Sequence, residues 1–229
     1  MKQTTFPATA SLVLVTTTVA FCSLMYELIL AQTLTALFGG LVLRYSVTIG
    51  LYLFGLGLGA FSFVYFKSRA AQYFIINQLI LSFLGSVGLA SVLMASAWQY
   101  YFSWAVLLYA HSLIVAIGFF SGLEIPLLGQ IYKKKFTQVL GFDYFGGLLA
   151  GLAFPLWFYP QWGLLYSSLV IATLNVSLCL WAVYALKANP LLKGLTITTV
   201  LVFVALIMHH QSIIHALEWF YLTREFNVT

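Results

Sequence analysis

The chain is built from long apolar runs separated by short interruptions of charge, proline and glycine. Within the runs, apolar residues follow one another without a two-residue rhythm. A membrane β-strand would alternate apolar and polar positions over about ten residues. These runs are about twice that length, which predicts helices of membrane-spanning size. Seven are predicted, over 8–37, 43–66, 73–97, 102–131, 139–159, 164–186 and 191–209. The breaks fall at Gly39-Gly40, Lys67-Ser68-Arg69, Lys133-Lys134-Lys135, Pro160 and Lys187-Ala188-Asn189-Pro190. The expected fold is all-α: a polytopic membrane bundle of about seven transmembrane helices over 1–210, with a short, mixed tail over 211–229.

Composition strengthens this reading. The 229 residues are 62% hydrophobic and 7% charged, where a soluble domain carries about 25% charged residues. Ten basic and five acidic side chains cannot cover a water-facing surface, so lipid is the expected partner. The net charge of +5 is scattered over loops, which argues against nucleic acid. Cys22 and Cys179 lie in separate apolar runs and suggest packing, not a disulfide framework. The first run lacks a small-residue cleavage site and reads as a retained helix.

With seven spans, Lys2, Lys67, Arg69, Lys133, Lys134, Lys135, Lys187 and Lys193 share one side, and Arg44 and Arg224 the other. The positive-inside rule then puts the N-terminus in the cytoplasm and the tail outside. In a bacterium this means the inner membrane, with the tail in the periplasm.

Two stretches echo each other. Gly50–Gly59 aligns without gaps on Gly141–Ala150. Each follows a helix carrying a glutamate and, a few residues on, a glutamine: Glu27 with Gln32, and Glu124 with Gln130. A duplicated helix pair, as in many transporter folds, explains the echo; chance similarity between glycine-rich helices is the alternative. Gly55, Gly59, Gly147 and Gly151 have the spacing that lets helices approach closely in lipid. No strand precedes any glycine run, so a phosphate-binding loop is not indicated.

Three of the five acids, Glu27, Glu124 and Asp143, lie inside apolar helices. A charge at that depth costs at least ~2.5–3.5 kcal/mol. Such acids bind a cation, hold a proton, or pair with a base, and Arg44 is the candidate partner for Glu27. Tyr26, Tyr52 and Tyr144 could offer ring faces to a cation. Pro126 removes a backbone hydrogen bond and should kink the fourth helix. His111, His209 and His210 sit at unequal depths for a bis-histidine haem, and Lys193 opens its helix where a retinal lysine would be central. No cofactor or metal is expected.

The runs Cys22-Ser23-Leu24-Met25-Tyr26-Glu27-Leu28-Ile29-Leu30 with Leu37-Phe38-Gly39-Gly40, Gly122-Leu123-Glu124-Ile125-Pro126-Leu127-Leu128 and Asp143–Pro155, in this order, resemble the membrane part of membrane-anchored spermidine synthase-like proteins. Pro160 and Gly163-Leu164 extend the likeness. The resemblance implies a following aminopropyltransferase domain that binds decarboxylated S-adenosylmethionine. Here Thr223–Thr229 is similar to the strand leading into that domain, and no glycine-rich nucleotide loop occurs in the chain. Catalysis by this chain alone is therefore not expected. The leading expectation is a membrane module that binds or moves a polyamine or a proton, with Glu27, Glu124, Asp143, Tyr26 and Tyr52 as cation ligands. The rival is a non-transporting scaffold that anchors a separate soluble or membrane partner subunit.

Overall fold

The computed structural model describes residues 9–132 and 135–225; side chains at 9, 99–101, 217, 218 and 220–225 fall outside it too. Among the described residues there is no strand. The helices are α1 (Thr9–Phe38), α2 (Leu41–Ser62), α3 (Ala70–Ser96), α4 (Gln99–Tyr132), α5 (Phe136–Ala153), α6 (Tyr159–Ala185), α7 (Pro190–Met208) and α8 (His210–Glu225). The seven predicted helices are present. Residues 211–225 of the tail are helical within α8, and Thr223–Glu225, read as strand-like, lies within it. Residues 226–229 lie outside the described residues.

Local chemistry sets the ends. Gly39 and Gly40 take φ of 66° and 69°, a left-handed conformation that is costly for any residue with a Cβ. This turns the chain between α1 and α2. At the start of α7, Asn189 Oδ1 accepts the Leu192 N–H at 2.8 Å and Pro190 fills the first helical position, the usual division of labour between cap and proline. Six helical segments are long and apolar enough to cross a membrane. The longest, Phe136–Ala185, has 50 residues and would reach about 75 Å if straight. It is interrupted by a π-helical turn at Phe154–Phe158 and by Gly163 at φ 66°. There the chain reverses, and Ser167 Oγ donates back to the Phe158 carbonyl at 3.1 Å.

The register follows from paired contacts. Along α1 and α5, Thr17 meets Phe142 and Gln32 meets Tyr159, so the two run parallel. In α3 and α4, Asn77 meets Phe120 and Ser91 meets Tyr109, an antiparallel pair. In α3 and α6, Ile75 meets Cys179 and Gln78 meets Asn175, also antiparallel. Successive passes therefore alternate in direction. Lys67, Arg69, Lys135 and Lys187 fall at the end of the bundle where α1 begins, and Arg44 at the other.

Two helix pairs are held backbone to backbone. A Cβ on Gly55 would meet the Val115 carbonyl at 2.6 Å and Gly118 at 3.0 Å. One on Gly59 would run into the Phe119 carbonyl, and one on Gly122 into Leu56. This locks α2 onto α4. In the same way Gly146 backs onto Thr17, Ala20 and Phe21, locking α5 onto α1. The expected Gly147/Gly151 contact is not made. Gly147 has only an ordinary contact with Leu24 at 3.6 Å, and nothing lies within 4 Å of a Cβ on Gly151. The face turned to α1 is one residue earlier, at Gly146 and the fully buried Ala150.

These contacts extend the echo seen in the sequence. Aligning Gly50–Gly59 on Gly141–Ala150 carries Gly55 onto Gly146. Aligning Glu27 on Glu124 carries Phe21 onto Gly118. The contact of Gly55 with Gly118 thus repeats that of Gly146 with Phe21. The offset that carries Glu27 onto Glu124 also carries Gln78 onto Asn175, which touch. The correspondence thus relates α1 to α4, which run in opposite directions. Pro126 keeps helical dihedrals, and the break inside α4 falls at Phe102 (φ −136°, ψ 47°).

Candidate functional site: a buried acidic centre lined by amides

Four helices bring polar side chains into the middle of the bundle. Glu124 of α4 is 3% exposed. Ser23 Oγ of α1 donates to its Oε2 at 2.7 Å, and Gln78 Nε2 of α3 donates to its Oε1 at 2.9 Å. From α6, Asn175 Nδ2 donates to the Gln78 carbonyl at 3.4 Å. Ser82 and Ser86 return their hydroxyls to carbonyls of their own helix. Tyr26 of α1 is 1% exposed, stands beside Ser82 and Asn175, and lays its ring over Gly85. Cys22 and Cys179 are free, buried, and directed at carbonyls of α6 and α3. Both pack as expected.

Satisfaction is uneven. The donors of Gln78 and Asn175 are used, while Gln78 Oε1, Asn175 Oδ1 and the Tyr26 hydroxyl are buried without a hydrogen-bond partner. Buried polar atoms normally find partners. The unpartnered set is therefore oxygen-rich and borders a carboxylate.

A second acid stands one helical turn along α1. Glu27 is 6% exposed, and neither it nor Asp143 hydrogen-bonds a described residue. Tyr52 of α2, also 6% exposed, lies within electrostatic reach of Glu27, Glu124 and Asp143, with Ser121 beside it. The fold thus gathers Glu27, Glu124, Tyr26 and Tyr52 on the inside, with the half-buried Asp143 at their margin. Tyr144 is 69% exposed and faces outward, away from this group. The expected Glu27–Arg44 pair is not formed: Arg44 sits 5.4 Å over the Phe38 ring and its Nε has no partner. Ion pairing of Glu124 or Asp143 with Lys133 or Lys134 lies outside the described residues.

Ser23, Gln78 and Asn175 were not singled out from the sequence. The available signal was an amide inside an apolar helix, since such residues bind helices together in lipid. The histidines do not converge: His111 neighbours Arg44, whereas His210 packs on Tyr166 at 4.4 Å. No cluster of three or more His, Cys, Asp or Glu suited to a metal occurs among the described residues.

Fold and centre together define a class: an all-helical bundle of long apolar helices around an acidic, amide-lined interior. Over 73% of its length the chain is 32% identical to a polyamine aminopropyltransferase of Leptospira interrogans, of which it covers 34%. It is 31% identical to polyamine aminopropyltransferase 2 of Ralstonia nicotianae over 79% of the chain and 36% of that protein. It is also 31% identical to polyamine aminopropyltransferase 1 of Streptomyces coelicolor, over 68% of the chain and 30% of that protein. Its homologues are thus polyamine aminopropyltransferases, and the chain spans about a third of the length of the curated relatives it matches. No family model matches the chain, and no solved structure matches it.

Proposed function

We propose that this chain is a membrane-embedded module of the spermidine synthase-like proteins that binds a cation, such as a polyamine or a proton, at its buried acidic centre. The observation that carries the reading is Glu124: a carboxyl 3% exposed, held by two neutral donors, with no described base paired to it. An acid in an apolar interior has a stated energetic reason to take up a cation. Long apolar helices supply the membrane reading, and the names of the relatives supply the polyamine. Lysines 67, 135 and 187 with Arg69 at one end orient the bundle, by the positive-inside rule, with that end in the cytoplasm. Glu27, Asp143, Tyr26 and Tyr52 are the further ligands in this reading, and Tyr144 drops out because it faces outward.

The test is spermidine binding and uptake by the full chain in proteoliposomes. Wild type should bind, and Glu124→Gln should lose binding at least tenfold while remaining folded, because an amide still accepts from Ser23. Glu124→Ala should instead unfold more readily, by about 2–5 kcal/mol, because it strands two buried donors. Equal binding by wild type and Glu124→Gln sinks the assignment.

A second reading is favoured by one observation, the chain's match to only a third of longer enzymes. In that reading the bundle anchors an aminopropyltransferase at the membrane and its acids are structural. Glu124→Gln would then impair assembly with the enzyme while no spermidine is bound.

A further inference from the structure

The unpartnered oxygens around Glu124 specify more than an acidic interior. Four oxygen-bearing side chains from four helices converge there: Glu124 from α4, Gln78 from α3, Asn175 from α6 and Tyr26 from α1. Each is at most 3% exposed. The amide nitrogens of Gln78 and Asn175 are already engaged, while their oxygens and the tyrosine hydroxyl are not. Neutral oxygens and one carboxylate make a hard donor set, of the kind that takes hard cations. Its charge decides the valence. Glu124 is the one carboxylate among these four ligands, and a monovalent ion is the one whose charge this ligand set cancels. Turning the Gln78 amide by half a rotation exchanges Nε2 for Oε1, so that an amide oxygen faces the same carboxylate oxygen the nitrogen now serves.

The position in the fold points the same way. Gln78 and Asn175 are related by the offset that relates Glu27 to Glu124, and they touch where α3 meets α6. Coupling ions of inverted-repeat transporters bind near the midplane at the interface between repeats.

We infer that Glu124, Gln78, Asn175 and Tyr26 form a site for one dehydrated alkali-metal cation of the Na+ class. The inference rests on the cation reading of the same centre and deepens it, since this ion would be distinct from any organic substrate.

The experiment uses the purified full chain in detergent at constant pH and ionic strength. Unfolding midpoints are compared in NaCl, LiCl, KCl and N-methyl-D-glucamine chloride, each with and without spermidine. Na+ at a hundredfold excess over its Kd should raise the midpoint by about 5–10 °C over N-methyl-D-glucamine. Equilibrium binding of radioactive Na+ should saturate at one ion per chain. Glu124→Gln should abolish both signals. Should that variant fail to fold, Asn175→Ala, which removes one neutral ligand, should raise the half-saturating Na+ concentration at least tenfold. Equal midpoints in all four salts overturn the proposal, as does unchanged Na+ binding in both variants. Stabilisation on lowering the pH in a parallel series, with no preference among salts, overturns it in favour of a proton. Na+ stabilisation without any spermidine effect leaves the ion site standing and removes the polyamine reading; a spermidine effect without Na+ does the reverse.

Discussion

At the scale of single residues, the acids and tyrosines of the centre could be read from the chain because each breaks an apolar run at visible cost. An ionisable group inside a twenty-residue hydrophobic stretch demands an explanation, and Glu27, Glu124, Tyr26 and Tyr52 all proved to be interior. The neutral members were not legible. Ser23, Gln78 and Asn175 carry no charge, and what distinguishes them is that they meet, which is a property of packing. Gly85 shows how finely Tyr26 is placed: a Cβ there would overlap the tyrosine ring. Gly85→Leu should displace the ring and destabilise the chain by about 1–3 kcal/mol, the usual range for overfilling a packed interior. It should also weaken whatever the centre binds. Gly141→Ala, where nothing lies within 4 Å of the added methyl, is the matched control. Thermal unfolding with a binding assay on each variant checks both expectations.

At the scale of helices, ends were legible and faces were not. Charges, Pro190 and the left-handed Gly39-Gly40 turn mark where helices stop. Which glycine of α5 meets α1 depends on how far the helix is rotated, and a rotation of one residue put Gly146 there in place of Gly147. Helix α8 escaped notice because its mixed composition gives no clear periodic stripe. Packing separates the glycines into two groups that sequence treats alike. Gly59→Leu or Gly122→Leu would force side chains into the facing backbone and should cost at least ~3 kcal/mol by pushing α2 off α4. Gly57→Ala and Gly151→Ala point into open space and should be neutral or slightly stabilising, since alanine is the better helix former by roughly 1 kcal/mol. Denaturation of the four variants side by side distinguishes the groups.

At the scale of the whole molecule, the apolar runs made the bundle legible and the short sequence echo pointed to duplication. The opposite directions of α1 and α4 needed the register of α1 against α5 and of α2 against α4. Seven alternating passes put the start of α1 and the end of α7 at opposite ends. With the basic end in the cytoplasm, a reporter enzyme active only outside should be silent when fused after Asn189 and active when fused after Thr229. The opposite pattern would reverse the orientation. Finally, α2 and α4 touch through glycine backbone with no side chains between to slide on, and α5 is seated on α1 in the same manner. Each pair thus packs closely as one body, with a seam between the two. The hydrogen bond from Ser23 on one body to Glu124 on the other crosses that seam. It is therefore a latch: parting the two helix pairs would break it and leave a buried carboxylate oxygen without its donor.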